Sequence, residues 1–185
     1  GTTPSVHGII GNDWFDRQSG EEIYCADDPG VSLVGGNAES DPKSGMRSPR
    51  KMLTTTIGDE IKLASRMQSI VIGISEKDRG AIMPAGHLAD ATYWLDDASG
   101  EWVTSTYYYR NDKSTGAPQL PGWVKNFNSE NSAEKYLARP EINGEWNTLL
   151  DISEYEESAD DDSPYEKSIS GKDEATGEYR KPVFP

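Results

Sequence analysis

The 185-residue sequence is poor in cysteine, histidine and positive charge: it has 1 Cys, 2 His, and 18 Lys and Arg against 32 Asp and Glu, for a net charge of −14. Each shortage excludes something. Cys25 alone closes no internal disulfide, and with no activating base beside it the thiol reads as buried and inert rather than nucleophilic. His7 and His87 stand far apart, and neither has a second His or a Cys at metal-ligand spacing. The acidic balance excludes an electrostatic nucleic-acid surface, which needs a basic face. No apolar run is long enough to span a bilayer, so no membrane partner is expected. No phosphate loop, dinucleotide fingerprint or Gly-x-Ser-x-Gly elbow occurs. Asp160-Asp161-Asp162 lacks the Gly and terminal Glu of a calcium loop and reads as a solvated acidic run.

What is present argues for a small packed core. The 5 Trp and 9 Tyr are large apolar bodies that need partners, while 18 Gly and 11 Pro predict much turn and loop. Residues 151–185 hold 11 acidic and 4 basic side chains, half of the net charge on a fifth of the chain. The organisation expected is therefore a partial α/β core with a hairpin insertion over 1–150, and an acidic irregular segment of the same domain over 151–185.

Within the first part, Trp14-Phe15 and Ile23-Tyr24 flank turn residues and predict a hairpin closed at Ser19-Gly20. Residues 37–45 read as a polar surface loop. Ser48-Pro49 has the form of a helix start, with Leu53, Ile57, Ile61 and Ala64 following at helical spacing. Ile70-Val71-Ile72-Gly73-Ile74 is apolar on both faces, which predicts a buried strand of a parallel sheet. Tyr93-Trp94-Leu95 and Trp102-Val103-Thr104 flank a Gly-containing connection and predict a second hairpin. Trp123, Val124 and Phe127 predict a short helix after Pro121, and Tyr136 and Leu137 close another.

Two stretches carry candidate chemistry. Lys77 and Arg79 follow the predicted strand at its carboxyl end, where α/β sheets collect ligands. In an extended segment both would leave the same side of the backbone, and two cations there suit a phosphate. The competing reading is a pair of surface charges balanced by Glu76 and Asp78, which spacing alone favours. In His7-Gly8-Ile9-Ile10-Gly11-Asn12, two glycines deliver Asn12 to a defined place. Its amide is suited to a phosphoryl oxygen, or equally to an ordinary turn.

Residues 1–12, Gly-Thr-Thr-Pro-Ser-Val-His-Gly-Ile-Ile-Gly-Asn, resemble the segment after the nucleophile in the alkaline phosphatase superfamily, whose nucleotide pyrophosphatase/phosphodiesterase branch shares Pro-x-x-His-Gly-Ile-x-Gly-Asn. The run from Ser48-Pro49 through Ile74, and Lys77-Asp78-Arg79-Gly80-Ala81-Ile82-Met83-Pro84-Ala85-Gly86-His87, is similar to the phosphate-irrepressible alkaline phosphatases. Tyr93-Trp94, residues 104–108, residues 123–128 and the closing Pro-Val-Phe-Pro agree, so the resemblance covers nearly the whole chain.

That resemblance implies part of an α/β/α sandwich with β-hairpin and loop insertions. It implies a periplasmic or secreted phosphomonoesterase with two zinc ions and a threonine nucleophile. Three positions match its phosphate-binding residues: Asn12, Lys77 and Arg79. A monoester dianion has one more charged oxygen than a diester, so the added Lys/Arg pair favours monoesters. The nucleophile would lie upstream of Gly1 and the zinc ligands outside this chain, with His7 and His87 structural. The chain then reads as an internal piece, inactive alone, whose partners are a phosphate ester and the rest of its protein or a second copy of itself. Two alternatives stand beside it: a phosphodiesterase or nucleotide pyrophosphatase, and a glycan-binding or interaction module presenting Tyr93, Trp94, Trp102 and Tyr107.

Overall fold

The computed structural model describes residues 2–109 and 117–131, with the single positions 135, 139, 140, 150 and 154. Two compact units divide the chain, Gly1–Ser132 and Ala133–Pro185. The helix expected to close at Tyr136-Leu137 and the Asp160–Asp162 run fall outside the described residues.

The first unit opens with a short helix α1 (Pro4–His7) and a hairpin of β1 (Asp13–Asp16) and β2 (Glu21–Tyr24). The hairpin closes where its turn residues predict. Asp16 ends β1, its carboxylate accepts the Gln18 and Ser19 amides, and Gly20 takes a positive φ of 73°. A four-stranded sheet follows in the order β3-β6-β5-β4, built from β3 (Leu33–Val34), β4 (Ile72–Ser75), β5 (Ala91–Asp96) and β6 (Glu101–Ser105). β4 and β5 run parallel, joined through α3 (Asp78–Ala85), whereas β5 and β6 form the expected antiparallel hairpin. The connection of that hairpin is fixed by Asp96, whose carboxylate accepts from both the amide and the hydroxyl of Ser99.

Strand register sorts the side chains into two faces. Ile74, Tyr93 and Val34 share one face, and α4 (Gly122–Asn131) covers its Tyr93 and Val34 part through Val124, with Trp123 edge-on to Tyr93 at 5.2 Å. Gly73, Trp94 and Val103 lie on the other, packed by Ile82 and Ala85 of α3 and by Cys25-Ala26 beyond the first hairpin. Helix, sheet and helix thus form three layers of the expected α/β class. Of the four rings proposed for a glycan, Tyr93 and Trp94 are core, Trp94 being 2% exposed with its indole N–H donating to the Ser44 carbonyl, while Trp102 and Tyr107 are partly buried against that core.

Two expectations are corrected. No helix starts at Ser48-Pro49, because the Ser48 hydroxyl donates to the Asp28 carboxylate at 2.6 Å and is buried there. The helix α2 spans Ile57–Ala64 and begins at Thr56, in a reciprocal capping box with Asp59. Nor is β4 buried on both faces. It is the edge strand, with α3 against Gly73 but with Ile72 48% and Ile74 57% exposed on the opposite face.

The helix α2 is inverted relative to its sequence pattern. Asp59 and Lys62 are buried, while Ile57, Ile61 and Leu63 face outward. Burying charges is costly unless each is paired. Here Lys62 donates to both oxygens of Asp90, at 2.9 and 2.7 Å, and to the Ser69 carbonyl at 2.7 Å. Burial pushes the Asp59 carboxyl up, but the Leu88 amide, His87 and the Thr56 amide outweigh it and hold it below the usual carboxylate value.

Candidate functional site

Beyond the carboxyl end of β4 lies an open cleft of about 640 Å³, lined among others by Asp13, Tyr24, Arg47, Lys77, Asp78 and Arg79. Lys77 and Arg79 therefore line the same cleft, but not by the expected route. The segment is extended only at Lys77, the N-cap of α3; Asp78 and Arg79 form the first turn of that helix. Both cations therefore line the cleft from the start of one helix, whose first-turn amides are taken up within the turn: that of Arg79 donates to Asp78 Oδ1 at 2.6 Å and that of Gly80 to the Lys77 carbonyl at 3.0 Å. Asn12 is exposed and directly precedes Asp13 at the start of β1; the lining residue from that segment is Asp13.

The charges around the cleft are not equivalent. Lys77 sits 3.3 Å from the Glu76 carboxylate and 3.6 Å from that of Asp97. Asp78 is met by Arg47, whose Nε donates to it at 2.7 Å while one terminal nitrogen reaches Asp27 at 2.9 Å. Arg79 enters no ion pair among the described residues; its guanidinium donates to the Tyr24 hydroxyl at 3.3 Å. Arg47 is thus shared between Asp78 and Asp27, and Arg79 presents a half-buried guanidinium to the cleft. The Tyr24 hydrogen bond pushes the Arg79 guanidinium up further, so it stays cationic.

Tyr24, Arg47 and Asp78 were not singled out by sequence. Tyr24 meets Asp78 across 54 positions, and Arg47 meets it across 31, separations that no local spacing signals. Burial, followed by the hydrogen bond to Asp78, pushes the Tyr24 phenol far above its ordinary value. Cys25, next in sequence, is buried, and desolvation raises its thiol, in keeping with an inert role.

Zinc, implied by the resemblance, finds no fitting place here. Among the described residues no group of three His, Cys, Asp or Glu side chains is placed to hold a metal ion. The His7 ring accepts the Ile9 amide, and His87 is engaged by Asp59 and the Met52 carbonyl.

A three-layer α/β unit with Lys77 and Arg79 at a helix start beyond a strand's carboxyl end has its cleft where α/β sheets collect ligands. The chain belongs to the type I phosphodiesterase / nucleotide pyrophosphatase family, whose model matches residues 1–172. It is 42% identical over 171 residues to alkaline phosphatase PhoV of Synechococcus elongatus, covering 92% of this chain and 28% of that protein. It is 41% identical over its whole length to alkaline phosphatase PafA of Elizabethkingia meningoseptica, covering 30% of that protein. A Myroides odoratus protein named calcium-transporting ATPase is 42% identical over the whole chain, which covers 29% of it. The crystal structure of PafA superposes with a TM-score of 0.75 and 38% identity, over 98% of this chain and 31% of that one. The chain therefore spans under a third of the length of these relatives.

Proposed function

We propose that the protein of which this chain spans a part is a phosphate monoesterase of the alkaline phosphatase type. In this reading Asn12, Lys77 and Arg79 hold the non-bridging oxygens of the phosphoryl group. The observation that carries it is the Arg79 guanidinium at the α3 start, which lines the cleft outside any ion pair among the described residues while Arg47 pairs with Asp78. Cations fixed before the reaction stabilise the charge that develops on equatorial oxygens in phosphoryl transfer. A solved variant of PafA carries alanine in place of an asparagine, a lysine and an arginine, the last two spaced two residues apart. Those are the residue types, and the Lys-x-Arg spacing, of Asn12, Lys77 and Arg79.

The nucleophile and two zinc ions are assigned to parts of the protein beyond this chain, and the chain alone to an inactive state. A periplasmic or secreted location belongs to the same reading. The bare face of β4 and the outward side of α2 are assigned to contact with the rest of that protein, since relatives are about three times longer. Isolated, the chain would bury the same face in self-association.

The test uses the full-length protein and mono- and diesters of one leaving group. Lys77→Ala with Arg79→Ala is expected to lower monoesterase kcat/KM far more than diesterase kcat/KM, because a diester lacks the third charged oxygen. Equal losses would refute monoester selectivity. They would favour a second reading, phosphodiesterase or nucleotide pyrophosphatase, which the family model supports.

A further inference from the structure

We propose that Tyr24 is the positioning residue for Arg79: its hydroxyl, oriented by Asp78 and Arg47, fixes where the guanidinium enters the cleft. The proposal rests on the phosphate-binding reading of Arg79 given above.

Donor and acceptor chemistry leaves one arrangement. An ionised carboxylate only accepts and a guanidinium only donates. The Tyr24 hydroxyl lies between the two, so its proton goes to Asp78 Oδ1 and its lone pair faces Arg79, 3.3 Å away. Asp78 is itself immobilised. Its Oδ1 also accepts the Arg79 amide at 2.6 Å, and its Oδ2 accepts Arg47 Nε at 2.7 Å. The Arg47 guanidinium lies 4.9 Å from the centre of the Tyr24 ring, closing a loop of three mutually fixed groups.

The same tyrosine ties the two halves of the site together. Tyr24 ends β2 directly opposite Asp13, and the next residue, Cys25, donates its amide to the Asn12 carbonyl at 2.8 Å. The strand that carries the Arg79 acceptor is therefore bonded to the backbone of Asn12. One short hairpin sets the spacing between the asparagine and the arginine, and the hydroxyl is its connection to the helix. Removing that oxygen leaves the ring and the Arg47 contact in place, but frees the guanidinium to choose other rotamers.

The experiment is a double-mutant cycle in the full-length protein, read as kcat/KM for a monoester and a diester of one leaving group. Tyr24→Phe is expected to lower monoesterase kcat/KM about 10- to 100-fold, the scale of a hydrogen bond to a charged group, with a diesterase change of about threefold or less. In an Arg79→Ala background, Tyr24→Phe is expected to add nothing, since there is no guanidinium left to position. Equal losses on both substrates, or additive effects of the two substitutions, would overturn the proposal. If Arg79→Ala alone spares monoesterase activity, the phosphate-binding reading fails first, and the proposal with it. Asp78→Asn, which weakens the acceptor and keeps the shape, supplies the same cycle should Tyr24→Phe not fold.

Discussion

Gly73→Ala tests how tightly the packing of one helix controls the site. Gly73 lies on β4 beneath α3, and a Cβ there would stand 2.9 Å from the Ala85 Cβ and closer still to the Ala81 carbonyl oxygen. Ordinary contact begins at 3.4 Å, so relief requires α3 to move off the sheet by about 1 Å. Its first turn carries Arg79 and its N-cap is Lys77, so the cations move with it. Overpacking of this kind costs about 1–3 kcal/mol of stability. A displacement of about 1 Å at a binding group costs on the order of 100-fold in rate. The assay pairs urea unfolding with monoesterase kcat/KM of the full-length protein. Gly122→Ala, where an added Cβ meets nothing within 4 Å, serves as the neutral control. A folded Gly73→Ala protein with wild-type monoesterase kcat/KM would refute the claim that α3 packing fixes the cations.

Three further outcomes are expected. Asp90→Ala leaves Lys62, 2% exposed, with only the Ser69 carbonyl; it should cost about 3 kcal/mol in thermal unfolding, and Lys62→Met in the same background should restore part of the loss. Stability should fall with acid through Asp59. Its folded carboxyl lies below the unfolded value of about 3.9, so its contribution is full above that pH and is lost as pH falls through the folded value; Asp59→Asn should flatten the unfolding profile below about pH 4. The isolated chain should self-associate with rising concentration in sedimentation velocity, and Ile72→Lys with Ile74→Lys should reduce it; a monomer at all concentrations would contradict the role given to the β4 face.

Local signals carried much of the architecture. Both hairpins stand where their turn residues place them, because Asp16 and Asp96 satisfy turn amides within three residues and need no distant partner. The parallel β4 strand and the helix after Pro121 follow from short apolar runs of the right period. The helix start failed for a tertiary reason: Ser48 resembles a cap, but Asp28 takes its hydroxyl, while the working cap, Thr56 with Asp59, sits at the end of a threonine run. The inverted face of α2 was illegible because the burial of Lys62 and Asp59 depends on Asp90, Leu88 and His87, all 28 or more positions away. The Lys77-Arg79 pair was visible as composition after a strand. Its helix-start geometry and its Tyr24 support depend on contacts between distant segments, which spacing does not encode.

Inorganic phosphate offers the same charged oxygens as a monoester without any leaving group, so its competitive inhibition of the full-length protein reads the proposed site directly. The account predicts that Lys77→Ala with Arg79→Ala raises the phosphate inhibition constant at least 10-fold, the order expected for lost charge-assisted hydrogen bonds. An inhibition constant unchanged by the double substitution would contradict the assignment of Lys77 and Arg79 to phosphate.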